Sequence, residues 1–75
     1  MPLVQVKAIG GVFSADEKRQ IIEGITETMV AIEGEALRGV TWVIVEEVAS
    51  GDWGIGGRGL TTQDVQGMAG TGASS

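Results

Sequence analysis

The chain has 75 residues, five basic and ten acidic, a net charge of −5, and neither Cys nor His. That length sets one domain at most, and the missing residue types exclude disulfides, thiolate and Ser-His-Asp nucleophiles and the usual structural zinc sites. The negative field disfavours nucleic acid and anionic membranes as partners, and no apolar run approaches the ~20 residues of a membrane span. No basic region precedes an apolar stretch at the N-terminus, so no signal peptide is expected and a cytoplasmic location is the expectation. A domain this small, without disulfide or metal, must pack very well or self-associate, so an oligomer is expected.

Residues 2–9, PLVQVKAI, alternate. Pro2, Val4, Val6 and Ala8 share one face, and Leu3, Gln5, Lys7 and Ile9 the other, the pattern of a half-buried strand ended by Gly10-Gly11. Ser14 and Glu17 stand at the spacing of a capping box. Ile21, Ile22, Ile25, Met29 and Ile32 follow with helical period, and Gly34 fits a C-terminal cap, so the spacing predicts a helix over about 15–33. Residues 40–48, VTWVIVEEV, are apolar on both faces and read as an interior strand. Strand, long helix and strand together predict a right-handed βαβ crossover with parallel strands. One helix covers one sheet face, and the other face calls for a second subunit.

Five glycines fall in the nine positions from Gly51 to Gly59. Such a segment accommodates positive φ and a hairpin turn. Thr61 and Thr62 offer caps for a short helix carrying Val65 and Met68, and about 70–75 read as a mobile tail. The fold expected is therefore α/β: a single domain over 1–75, one βαβ unit, then a Gly-rich β-hairpin and a short helix, in an oligomer.

Pro2 directly after Met1, the Ser14 to Lys18 helix start, and the stretch Glu47-Val48-Ala49-Ser50-Gly51-Asp52-Trp53-Gly54-Ile55-Gly56-Gly57 together resemble the 4-oxalocrotonate tautomerase family. The resemblance covers roughly residues 2–60. It implies a βαβ subunit assembled as a trimer of dimers, a cofactor-free isomerase, and a small carboxylic acid substrate. It also implies that Pro2, once Met1 is removed, acts as general base and acid on an enolisable 2-oxo acid or 2-hydroxydienoate. The chemistry agrees: a secondary amine shuttles a proton when its pKa lies near the working pH, and an apolar pocket with nearby cations lowers that pKa. A cation or donor on the developing enolate oxygen completes the requirement. With Met1 retained, the Pro2 nitrogen is an amide, and Pro2 then only begins an edge strand.

Trp53 occupies the family's active-site aromatic position; as an interface anchor it would be equally at home. The family's two substrate arginines are not matched. The first falls in the loop Gly10-Gly11-Val12-Phe13, and the second, counted back from Trp53, falls on Trp42. Three accounts compete. Arg38 or Arg58 supplies the cation from elsewhere, although Arg38 could equally pair with Glu35 and Arg58 could be a solvated loop charge. Alternatively the substrate is less anionic and Val12, Phe13 and Trp42 make an apolar pocket, with Trp42 also suited to interface packing. Or the chain is a non-catalytic assembly subunit. Another proline-based reaction on an unsaturated acid, hydration or dehalogenation, is the alternative within enzymes. The candidate site residues are thus Pro2 as catalyst and Trp53, Arg58, Arg38 and Trp42 for substrate. The resemblance implies no cofactor and no metal is expected; Glu46 and Glu47 point to opposite faces, so they are not a paired-carboxylate site.

Overall fold

A computed structural model describes residues 2–73, with side chains described as far as residue 68. The elements are β1 (Leu3–Ile9), α1 (Ala15–Glu33), a 3-10 helix (Glu35–Val40), β2 (Trp42–Val48), β3 (Trp53–Ile55), β4 (Arg58–Leu60) and α2 (Thr62–Ala73). β1 and β2 are hydrogen-bonded neighbours, and β3 pairs with β4 in a separate two-stranded sheet. The Trp42 amide donates to the Pro2 carbonyl at 2.9 Å, and the Gly10 amide donates to the Val48 carbonyl at 2.7 Å. Chain starts meet at one end and chain exits at the other, so β1 and β2 are parallel and α1 lies in the crossover between them.

The chain divides into two compact units: one holds the chain up to Val6 together with Ser14–Glu46, the other Lys7–Phe13 together with the chain from Glu47 onward. In the first unit, α1 starts at Ser14 with both halves of the capping box formed. The Glu17 amide donates to Ser14 Oγ at 3.1 Å, and the Ser14 amide donates to Glu17 Oε1 at 2.8 Å. Asp16 and Glu17 also place negative charge at the positive end of the helix dipole. The helix ends at Gly34, whose φ of 102° lies in a region that L side chains rarely adopt.

The inward face of α1 differs from the expected stripe. Val30 is buried and Ile21, Ile25, Thr26, Met29 and Glu33 are half-buried, while Ile32 is 78% exposed. Thr26 tolerates this position because its hydroxyl donates to the Ile22 carbonyl at 2.7 Å. The chain returns along this side of α1, with the single Thr41 O–H proton shared between the Glu33 carboxylate and the Leu37 carbonyl. The 3-10 helix occupies part of the segment read as strand, so β2 begins at Trp42 rather than at residue 40.

In the second unit, β3 and β4 form an antiparallel hairpin with Trp53 opposite Leu60, Gly54 opposite Gly59 and Ile55 opposite Arg58. Gly56 (φ 59°) and Gly57 (φ 85°) make its two-residue turn, both with the positive φ of a type I′ turn. A second reciprocal cap starts α2: the Asp64 amide donates to Thr61 Oγ1 at 3.1 Å, and the Thr61 amide donates to Asp64 Oδ2 at 3.0 Å. Those bonds, the backbone one foremost, hold the Asp64 carboxyl below its usual range. Of the tail expected over 70–75, residues 70–73 continue α2 in backbone, and residues 74 and 75 lie outside the described residues.

Among the described residues only Ile9 and Val30 count as buried apolar side chains. Leu3, Trp42 and Ile55 are each at least half exposed. A folded chain of this length that leaves so much apolar surface in water has little core of its own.

Candidate active site

Pro2 stands immediately before β1, half-buried, with its carbonyl tied to the Trp42 amide. The first pair of the parallel ladder thus makes Pro2 and Trp42 neighbours. Proline suits this place because the start of a strand leaves its missing N–H without consequence. The Trp42 side chain is 56% exposed.

The second unit contains a cavity of about 250 Å³ with an almost wholly apolar lining. Val12 and Phe13 enter it from the loop after β1, Trp53 and Leu60 from facing positions of the hairpin, and Val65 from the first turn of α2. Lys7, Ala8 and Ile9 complete the wall from β1, with Lys7 the one charged residue among them. The loop that delivers Val12 and Phe13 is held on several sides. The Gly11 amide donates to Glu47 Oε2 at 3.3 Å, the Thr62 hydroxyl donates to the Gly10 carbonyl, and Gln66 Nε2 donates to the Gly11 carbonyl at 3.1 Å. Gly11 has φ 86°, and a Cβ there would lie 3.1 Å from Thr62 Cγ2, so both conformation and space favour glycine.

Of the expected substrate residues, Trp53 lines this cavity and is half-buried. Val12 and Phe13, two of the expected apolar cluster, line this cavity with Trp53, and Trp42 lies in the first unit beside Pro2. Arg58 is exposed at the start of β4, near enough to Asp64 to help hold that carboxyl in its charged form.

Arg38 is engaged within the first unit. It forms ion pairs with Glu27 of α1 and Glu35 of the 3-10 helix, with Nη2 3.0 Å from Glu27 Oε1 and 3.2 Å from Glu35 Oε1. The guanidinium fork spans both carboxylates, a strongly charge-assisted arrangement. Hydrogen bonding from Arg38 lowers the pKa of both glutamates, and they in turn raise that of Arg38. The sequence pattern pointed to Glu35 but not to Glu27, eleven residues away. The sequence marks Lys7 only as one of five basic residues able to meet an anion, and nothing local distinguishes Leu60 and Val65 from ordinary strand and helix positions.

A family model described as "Tautomerase enzyme" matches residues 2–63, beginning at Pro2. The chain belongs to the tautomerase family. It is 35% identical over 66 residues to "Probable tautomerase K2" of Dickeya dadantii, covering 88% of this chain and 97% of that protein. A "Probable tautomerase" of Helicobacter pylori is 31% identical over 62 residues, covering 80% and 90% respectively. Among solved structures, DmpI from Helicobacter pylori superposes with a TM-score of 0.68 at 30% identity, covering 79% of this chain and 95% of that one. An apo unfused 4-OT gives a TM-score of 0.67 at 26% identity, with coverage of 84% and 97%. The resemblance to the 4-oxalocrotonate tautomerase family therefore holds in sequence and in fold, and the chain is an isomerase-type enzyme. Among the described residues no helix is long and apolar enough to cross a membrane, and no group of three or more metal-binding side chains gathers.

Proposed function

We propose that this tautomerase shifts a proton on an enolisable 2-oxo acid or 2-hydroxydienoate, with Pro2 as the base and acid once Met1 has been removed. The observation that carries the reading is the position of Pro2: the family match begins there, and Pro2 opens β1 with its carbonyl fixed by Trp42. The neutral secondary amine takes the enol O–H proton. The resulting prolinium returns a proton to carbon, so one O–H bond is lost and one C–H bond is formed with no net redox change. Arg58 is the better candidate for the substrate carboxylate, because Arg38 already spans two glutamates. Trp53 walls off solvent on the apolar side, and Trp42 serves first as an interface anchor. The exposed apolar residues support self-association, and the resemblance to the 4-oxalocrotonate tautomerase family makes a trimer or hexamer the assembly we propose.

The test is steady-state ketonisation of phenylenolpyruvate by three forms, with intact mass recording whether Met1 is gone. Removing a general base costs about 10²–10⁴ in rate, and a form that retains Met1 is expected to lose that factor while keeping the oligomer. Pro2→Ala leaves a primary amine in place of the secondary one and is expected to be slowed without a complete loss of activity. Equal turnover by the trimmed and Met1-retaining forms would refute the proline mechanism.

A further inference from the structure

We infer that the cavity behind Trp53 is a subsite for a single aromatic ring, sized by Val65 and held in shape by Gln66, two α2 residues beyond the stretch the family model matches. An apolar protein cavity of about 150 Å³ suffices for benzene. The pocket here, about 250 Å³ and open to solvent on one side, has the volume for one ring with a substituent. Two aromatic walls, Trp53 and Phe13, offer offset or edge-to-face contacts to a ring. The lining is apolar except for Lys7, so a ring gains most by entering it, and a ligand's carboxylate belongs outside or beside Lys7.

α2 contributes in two separable ways. Val65 is a wall, so its volume limits the ring and makes it the specificity-determining residue. Gln66 is a positioning residue: its side-chain amide donates to the Gly11 carbonyl, and Gly11 precedes Val12 and Phe13. The Thr62 hydroxyl on the Gly10 carbonyl anchors the same loop one residue earlier. That the ring is the tail of the enol substrate rests on the proposed function; that the cavity takes a ring does not.

The experiment is a titration of the intact protein with neutral probes, benzyl alcohol and 2-naphthylmethanol, followed by the NMR shift of the Trp53 indole N–H. The wild type is expected to prefer the single ring. Val65→Ala is expected to move the preference toward the bicycle by on the order of fourfold per methylene removed, and Val65→Phe to weaken both probes. Gln66→Ala is expected to weaken both by a few-fold without changing their ratio, which a merely destabilised helix with a lost wall would not preserve. An unshifted Trp53 indole, or a probe preference insensitive to both Val65 variants, overturns the subsite. Turnover plays no part in the titration. A protein that binds rings with this size dependence but does not ketonise phenylenolpyruvate loses the proposed function and keeps the subsite, and the converse loses the subsite alone.

Discussion

Gly59→Ala tests whether the hairpin that carries Trp53 and Arg58 is as closely packed as its geometry says. A Cβ at Gly59 would lie 2.9 Å from the Gly51 carbonyl oxygen, closer than real Cβ atoms approach backbone. Gly51 has little room to retreat, because its amide donates to the Leu60 carbonyl at 2.9 Å and the next amide, of Asp52, donates to Ala49 at the same distance. Gly59 itself has no positive φ, so the cost of alanine is steric and not conformational. Overpacking of this kind costs about 1–3 kcal/mol, offset by about 0.4–1 kcal/mol from the stiffer unfolded chain. Gly54, directly across the ladder, has no described atom within 4 Å of its would-be Cβ, so Gly54→Ala keeps the gain without the clash. The two variants should therefore differ by about 2 kcal/mol, a separation on the order of 1 M in urea midpoint for a small protein. Urea unfolding by circular dichroism, at one fixed protomer concentration, measures it. Coincident midpoints for Gly54→Ala and Gly59→Ala would show that the Gly51–Gly59 approach is not a constraint.

The Arg38 clamp predicts a specific acid sensitivity. Glu27 and Glu35 have pKa values below their ordinary 4.5, so their pairing stabilises the fold above that pH and is lost as pH falls through the lowered folded-state values; urea midpoints from pH 7 to 3 should fall more steeply for the wild type than for Arg38→Leu, and parallel profiles would contradict the clamp. Self-association predicts a trimer or hexamer in sedimentation velocity, and a folded monomer at micromolar concentration would defeat it. The apolar lining predicts a higher kcat/KM for an aryl monoacid enol than for a matched dicarboxylate, with Arg58→Ala costing more of that value than Arg38→Ala; a preference for the diacid would mean that a cation from elsewhere, Lys7 or a partner's arginine, takes the second charge.

What could be read from the sequence was what is decided within a turn or two. Ser14, Glu17 and Gly34 fix α1 at Ala15–Glu33 through bonds spanning three or four residues, and the spacing alone carries that information. The same holds for the Thr61 cap of α2 and the Gly56-Gly57 turn. β-Branched Val40 and Thr41 extend the expected strand back to residue 40, whereas Val40 ends the 3-10 helix and β2 starts at Trp42. The 3-10 conformation is supported by the Arg38 pairs to Glu27 and by Thr41 reaching Glu33, partners eleven and eight residues away. The burial of Val30 in place of Ile32 has the same origin, since it depends on which side of α1 the returning chain lies. The cavity is the clearest case of long-range assembly. Its walls come from three stretches of chain, and Gln66 reaches a carbonyl 55 positions earlier. No periodicity within any one stretch records such a meeting.

The shortage of core and the needs of the proposed base are linked physically. Trp42, 56% exposed, is bonded through its amide to Pro2, and Leu3, 50% exposed, follows Pro2 on the opposite face of β1. Burying an aromatic or large aliphatic side chain contributes on the order of 1.5–3 kcal/mol, and completing the half that is missing from each adds a large fraction of a small domain's net stability. Association through this edge would therefore stabilise the chain where it is weakest. It would also remove water from around Pro2, and desolvation is what moves a secondary amine toward its neutral, basic form. In the single chain Pro2 is half-buried, and a partner over Trp42 would remove more of the water that favours the ammonium. On this reasoning the apolar surface beside Pro2 is not a defect of folding: the contact that would complete the core is also the one that would set the protonation state of the base.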